Sequence, residues 1–245
     1  GLNVGVSEST VVRFANELGF SGYPKLQKSL QELIKNKLTT VQRIELSNDF
    51  VSQESPLKSV LKSDMENIRA TLEKINHKTF DDVVESIFEA RKIYILGLRS
   101  STAIADFLGF YLNLILDNVQ VVRYGISDIF EQMINLREGD LVIGIGFPRY
   151  AVRTIEALTF AKSRNAKIVA ITDSLLSPLA ARSDYTLIAQ SNMASFVDSL
   201  VAPLSVINAL IVAVGLREKG KISSTFSDLE SIWKEYQVYS FRDQN

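Results

Sequence analysis

A chain of 245 residues is long enough for one sizeable α/β domain and a smaller module. A formal net charge of −1 excludes a polycation that grips nucleic acid over its whole surface, and the absence of cysteine excludes disulfides and thiolate metal sites. No signal peptide is legible, and the longest apolar stretch, 200–216, contains Pro203, Ser205 and Asn208, so it reads as a buried helix rather than a membrane span.

Before about residue 78 every strong pattern is helical. Ser7 is placed to cap a helix that Gly19 stops. Pro24 lies in the first turn of a second helix running to about Leu38. Residues 47–53 are polar and read as a linker. Leu57, Val60, Leu61, Met65, Ile68, Leu72 and Ile75 then recur at three- and four-residue spacing on one long helix, and a further helix is expected over 80–90. The expected division is a module over 1–46, a linker and long helix over 47–78, and a main domain over 79–245.

Beyond residue 78 short β-branched strands alternate with amphipathic helices. Strands are predicted over 92–97, 119–123, 141–145, 167–172 and 185–190, each apolar enough to be buried on both faces. Helices are predicted over 101–116, 126–135, 151–164 and 178–182, with two more over 196–217 and 226–236. This alternation implies an α/β fold, a five-stranded parallel doubly wound sheet preceded by a smaller all-α module.

In the N-terminal module, a turn at Gly5 leads into a capped helix that exposes Ser7, Ser9, Thr10 and Arg13 while Val11, Phe14 and Leu18 are expected to pack inward. A helix-turn-helix presents its second helix to a major groove in this way, with hydroxyls for phosphates or base edges and Arg for guanine. Lys25 and Lys28 follow on the next helix, within reach of a DNA backbone. The competing reading is a plain helical hairpin with a solvated face. Charge does little to separate the two, since residues 1–38 carry five basic and three acidic side chains.

In the sheet, adjacency of the first and third strands brings together the loops that follow them, Gly97 to Ser101 and Gly146 to Tyr150. Gly97 lets the backbone turn closely, Ser100 and Ser101 offer hydroxyls, and helix N-termini add partial positive charge. Arg99 and Arg149 can clamp a phosphate or carboxylate, and Arg153 lies one turn after Arg149. Tyr150 belongs to the same loop, and Thr172, Asp173 and Ser174 end the fourth strand. Each also has a structural alternative: Arg149 or Arg153 pairing with Glu156, Tyr150 covering the sheet end, Asp173 capping a turn.

The whole chain resembles an RpiR-type bacterial transcription regulator. The residues carrying the likeness are Val4-Gly-Val-Ser-Glu-Ser-Thr-Val-Val-Arg-Phe-Ala-Asn-Glu-Leu-Gly-Phe-Ser-Gly-Tyr23 for a helix-turn-helix, and for a sugar isomerase (SIS) domain Ile95-Leu-Gly-Leu-Arg-Ser-Ser101, Gly146-Phe-Pro-Arg-Tyr150 and Ala170-Ile-Thr-Asp-Ser-Leu-Leu-Ser-Pro-Leu179. The chain begins at Gly1, inside the first motif, so the helix-turn-helix is expected to be truncated at its start. The resemblance implies binding of operator DNA, controlled by a sugar phosphate or related metabolite, in a homodimer or homotetramer in the cytoplasm, with no cofactor, metal or membrane. It also exposes a departure. The second loop of SIS domains is normally Ser-x-Ser-Gly-x-Thr, and here those positions are Gly146, Phe147, Pro148, Arg149, Tyr150 and Ala151. Three hydroxyls are lost and Pro148 removes an amide donor, so guanidinium chemistry replaces hydroxyl chemistry. A sugar acid would suit the same arginines as well as a sugar phosphate.

Isomerisation of an open-chain sugar needs an acid and a base near neutral pKa at the carbon. His77 is the only histidine and lies in the helical segment before the first strand. Glu131, Glu156, Asp173 and Asp198 remain as candidate bases, none with an obvious acid partner. A binding domain without catalysis is therefore expected. A sugar-phosphate isomerase and a ligand-independent dimerisation platform stay open as alternatives.

Overall fold

A computed structural model of the protein describes residues 7–27, 39, 41–42, 44, 55–193 and 196–239. The chain forms two compact units, one of residues 1–59 with 194–197 and one of residues 60–193 with 198–245. Gly5, Lys28, the run of the second helix to Leu38 and the linker at 47–53 lie outside the described residues.

The first unit contains α1 (Glu8–Glu17). Ser7 caps it, its hydroxyl accepting from the Thr10 amide and bonding the hydroxyls of Ser9 (2.7 Å) and Thr10 (2.9 Å). Gly19, at φ 82°, breaks the helix, and a helical turn over 23–27 follows with Pro24 inside it. The expectation that Phe14 and Leu18 pack inward is not met. They are 58% and 52% exposed. Among the described residues of this unit, only Ala15 and Leu26 are buried hydrophobics.

The second unit opens with α2 (Pro56–Lys74), of which it takes the part from Val60, and α3 (His77–Glu89). It then builds a parallel sheet from β1 (Ile93–Gly97), β2 (Val119–Val122), β3 (Leu141–Ile145), β4 (Lys167–Thr172) and β5 (Tyr185–Ile188). The spatial order is β2-β1-β3-β4-β5, all neighbours parallel. Between and after the strands lie α4 (Thr102–Ile115), α5 (Ile129–Gln132), α6 (Val152–Ser163), α7 (Val201–Arg217) and α8 (Lys219–Glu235).

Strand periodicity sorts the core into two layers. Ile93, Ile95, Ile143 and Ile171 pack with α3, α4 and α7 residues such as Ile87, Leu108 and Leu210. Tyr94, Leu96, Val142 and Ile168 pack on the other face with Met133, Ala157 and Leu158. Helices on both faces explain the near-continuous apolar runs of the central strands β1, β3 and β4. The edge strands β2 and β5 are only partly buried and carry Gln120 and Thr186, against the expectation of burial on both faces.

Several elements are shorter or longer than their patterns predict. The helix expected over 126–135 is α5 alone, because Asp128 forms a capping box with Glu131 and fixes the start there. The segment expected as a helix over 178–182 is a 3-10 turn, Ala180–Arg182. Residues 196–200 are not helical, and α7 begins at Val201. By contrast α8 begins at Lys219, ahead of Phe226, through the weak helix formers Gly220, Ser223, Ser224 and Thr225. Ile222 packing on the core and the Lys221 Nζ–Asp117 pair at 2.6 Å hold that first stretch.

Gly97 ends β1 where the chain doubles back. A Cβ there would stand 2.7 Å from the Ser101 carbonyl oxygen and 2.9 Å from Ala105 Cβ. Gly97→Ala is expected to push out the 98–101 turn and to cost about 1–3 kcal/mol, as overpacking does. Thermal unfolding checks this: a melting temperature lowered by several degrees is expected.

Candidate functional site

β1 is the point where the strand order reverses. From it the chain steps outward to β2 and then returns across it to β3, so α4 and α6 leave the sheet on opposite faces and open a crevice between them. Gly97 is paired with Ile145, so the loops after β1 and β3 begin side by side, about 4.8 Å apart as neighbouring strands are.

Both loops carry an arginine in the left-handed backbone region, Arg99 at φ 60° and Arg149 at φ 64°. For an arginine this conformation costs on the order of 1 kcal/mol. Asn165 and Gln237 also show positive φ, but only the arginines lie at the reversal point. Such strain concentrates where function holds it in place. Arg99 opens a 3-10 turn, Arg99–Ser101, that runs directly into α4. Thr102 Oγ1 donates to the Gly97 carbonyl at 3.0 Å and locks this turn to the strand end. Ser100 is exposed and Ser101 buried. Neither α4 nor α6 has a side-chain N-cap, so their first amides face the crevice end with only backbone and solvent to satisfy them. Two helix starts without side-chain caps and two arginines therefore share this edge of the sheet.

Tyr150 bridges this edge to β4. Its hydroxyl donates to Asp173 Oδ1 at 2.7 Å, and Thr172 Oγ1 donates to the same oxygen at 3.2 Å. Burial, and then the hydrogen bond and charge of Asp173, hold the Tyr150 phenol far above its ordinary value. Ser174 is spent on its own turn, its hydroxyl accepting from the Leu176 amide at 3.1 Å. Pro148 is half-buried beside exposed Arg149.

The structure thus gathers Gly97, Arg99, Ser100, Ser101, Pro148, Arg149, Tyr150, Thr172 and Asp173 on the ends of three adjacent strands. Arg153 has other bonds: it pairs with Glu156 at 3.3 Å and Asp128 at 3.8 Å, and covers the Phe130 ring. Of the carboxylates considered as bases, Glu131 closes the α5 cap and Glu156 holds Arg153. His77, the first residue of α3, lines an apolar cavity of about 270 Å³ with Ile68, Leu72, Phe80 and Ala209. In the first unit, Ser9, Thr10 and Arg13 share the exposed polar side of α1, and Lys25 is exposed on the following turn. Sequence reasoning missed Gln190. It ends the fifth strand expected from the sequence, yet its side-chain amide donates to the Asp173 carbonyl at 3.0 Å.

The raised Tyr150 value has a definite sign in stability. The fold favours the neutral phenol, so this contribution is complete below the ordinary tyrosine value of 10.0 and is lost as pH rises beyond it. In a spectrophotometric titration, Tyr150→Phe is expected to leave the tyrosinate signal gained near pH 10 unchanged, with Tyr150 itself ionising only as the fold is lost.

Comparison with known proteins agrees with this architecture. Residues 86–213 match the SIS domain family, and residues 2–37 match the rpiR family helix-turn-helix domain. The sugar isomerase domain of an RpiR transcription factor from Sphaerobacter thermophilus is 31% identical, with a TM-score of 0.69 over 73% of this chain and 99% of that one. The Vibrio vulnificus NanR protein, solved in complex with ManNAc-6P, shares the fold at 20% identity and a TM-score of 0.61 over 94% of this chain and 83% of that one. An uncharacterized HTH-type transcriptional regulator of Haemophilus influenzae is 30% identical over 189 residues, 75% of this chain, and the match spans 64% of that protein's length. With its SIS match covering half its length and an rpiR helix-turn-helix ahead of it, the chain belongs to the RpiR-type family.

Proposed function

We propose that this chain is a cytoplasmic DNA-binding transcriptional regulator whose SIS domain takes a small anionic sugar metabolite as effector. The observation that carries the proposal is the pair of left-handed arginines, Arg99 and Arg149, on neighbouring strand ends above two uncapped helix starts. The anionic group, phosphate or carboxylate, sits against these guanidinium groups and the Ser100 and Ser101 hydroxyls, with Gly97 and Pro148 shaping the loops. The sugar hydroxyls reach Tyr150, Thr172 and Asp173. Ser174 and Arg153 shape the rim through their own bonds. The similar NanR fold in complex with ManNAc-6P supports a sugar phosphate in this role. Ser7, Ser9, Thr10, Arg13, Lys25 and Lys28 are the residues we assign to operator DNA.

The reading includes no catalysis, because two of the candidate bases are bound up in a cap and an ion pair and the one histidine lines a separate apolar cavity. It also includes a homodimer. On α2, Leu61, Met65, Ile68 and Leu72 leave an apolar stripe open, and on α7 Val212 and Leu216 do the same. Covering such surface with a second copy removes it from water.

Phosphorus NMR with a pool of hexose and N-acetylhexosamine 6-phosphates tests the effector site. Selective broadening of one component without new peaks is expected, lost at least tenfold in the Arg99→Ala, Arg149→Ala double variant and kept within about threefold in Arg153→Ala. New peaks would replace the regulator by an isomerase. For the DNA side, Arg13→Ala is expected to weaken operator retention about tenfold or more in a gel-shift titration, with fixed salt in both arms.

A further inference from the structure

The long helix α2 is anchored through polar residues on the flank of its apolar stripe. Its apolar residues Met65 and Leu72 are 68% and 69% exposed, while its buried residues are Asn67 and Thr71. What holds it is a polar staple to the backbone that follows β5. Asn67 Nδ2 donates to the Asn192 carbonyl at 2.9 Å, and the Asn192 amide donates to Asn67 Oδ1 at 3.1 Å, so one side chain satisfies one residue's backbone as a neighbouring strand would. The Gln190 amide donates to Thr71 Oγ1 at 2.8 Å, and Thr71 Oγ1 donates to the Asn67 carbonyl at 2.8 Å. Lys74 Nζ donates to Gln190 Oε1 at 3.3 Å, and Ser199 Oγ donates to Asp64 Oδ1 at 2.6 Å.

The same segment grips the crevice. Gln190, 7% exposed, turns its side-chain amide to the Asp173 carbonyl, and the Ala189 amide donates to the Thr172 carbonyl at 2.8 Å. Asp173 is the acceptor of the Tyr150 hydroxyl. A continuous line of hydrogen bonds therefore runs Tyr150–Asp173–Gln190–Thr71/Lys74 on α2, with Asn67–Asn192 beside it.

Resting on the effector reading above, we propose that Gln190 is the positioning residue that reports occupancy of the crevice to α2. An anionic sugar that recruits the Tyr150 hydroxyl or the Asp173 carboxylate shifts the Asp173 backbone. Gln190 carries that shift to Lys74 and Thr71. An apolar face can slide over its partner with little change in energy, whereas this staple has one register, so α2 follows discretely. In the chain α2 lies between the helix-turn-helix and the sheet, where such a signal must pass.

Amide hydrogen exchange on the whole chain tests this in two arms. Without ligand, Tyr150→Phe is expected to speed exchange at Gln190 and Asn192 at least fivefold while the β1 and β3 amides stay as in the native protein. Unchanged rates at both amides overturn the proposal, whatever the crevice binds. With the hexose and N-acetylhexosamine 6-phosphate pool, slowed exchange is expected at 99–101, 149–151 and 64–74. In Gln190→Met, which keeps the stem and removes both polar atoms, the slowing at the two loops is expected to remain and that at 64–74 to vanish. Equal slowing of 64–74 in both proteins overturns the relay. Should Gln190→Met fail to fold, Lys74→Met breaks the same line at its far end and is expected to halve the α2 response or more; no reduction overturns the relay. If no probe slows exchange at the loops, the sugar-phosphate reading falls and the ligand-free arm still decides the relay.

Discussion

The placement of β1 between β2 and β3 is the constraint on which the rest of the sheet unit depends. Its ladder partners on either side run parallel, so both must be reached by crossovers, and the crossovers leave on opposite faces. That single fact opens the crevice, sets α4 and α6 with their starts beside it, and brings two loop arginines to adjacent strand ends. Gly97 tightens the arrangement, since the chain after β1 returns to within van der Waals distance of its own backbone.

The central strands were legible because burial on both faces leaves a strong mark, and β3 and β4 match their expected bounds; the edge strands β2 and β5 are only partly buried. The loop arginines were legible from composition, though their left-handed backbone was not, since nothing in Arg99 or Arg149 as residue types favours it. Other features were hidden for physical reasons. The periodicity of Leu61, Met65, Ile68 and Leu72 shows that α2 has an apolar face but not which residues dock, and here two polar residues on its flank, Asn67 and Thr71, do the docking. Gln190 was hidden by its neighbours, because a strand pattern runs up to it and its role comes from a side chain crossing to β4. Phe14 and Leu18 follow the helix period faithfully, yet both are more than half exposed.

On the proposed reading, one anion-binding chemistry stands in for another in the crevice. Hydroxyl-rich loops hold an anion with short neutral dipoles and a close approach. Loops bearing arginine hold it with a delocalised charge on a long stem, which accepts phosphate and carboxylate alike. Tyr150 then takes over the part of a fixed hydroxyl, held by Asp173 and un-ionised.

Arg149 stands where the SIS pattern has its glycine, and its backbone keeps the conformation a glycine adopts freely. A return to glycine there would relieve about 1–2 kcal/mol of left-handed strain against an added chain entropy of about 0.5–1 kcal/mol, a modest net gain in folding. The same change would remove a guanidinium from the crevice. On the proposed reading, a sturdier fold and a charged binding edge pull in opposite directions at this one position.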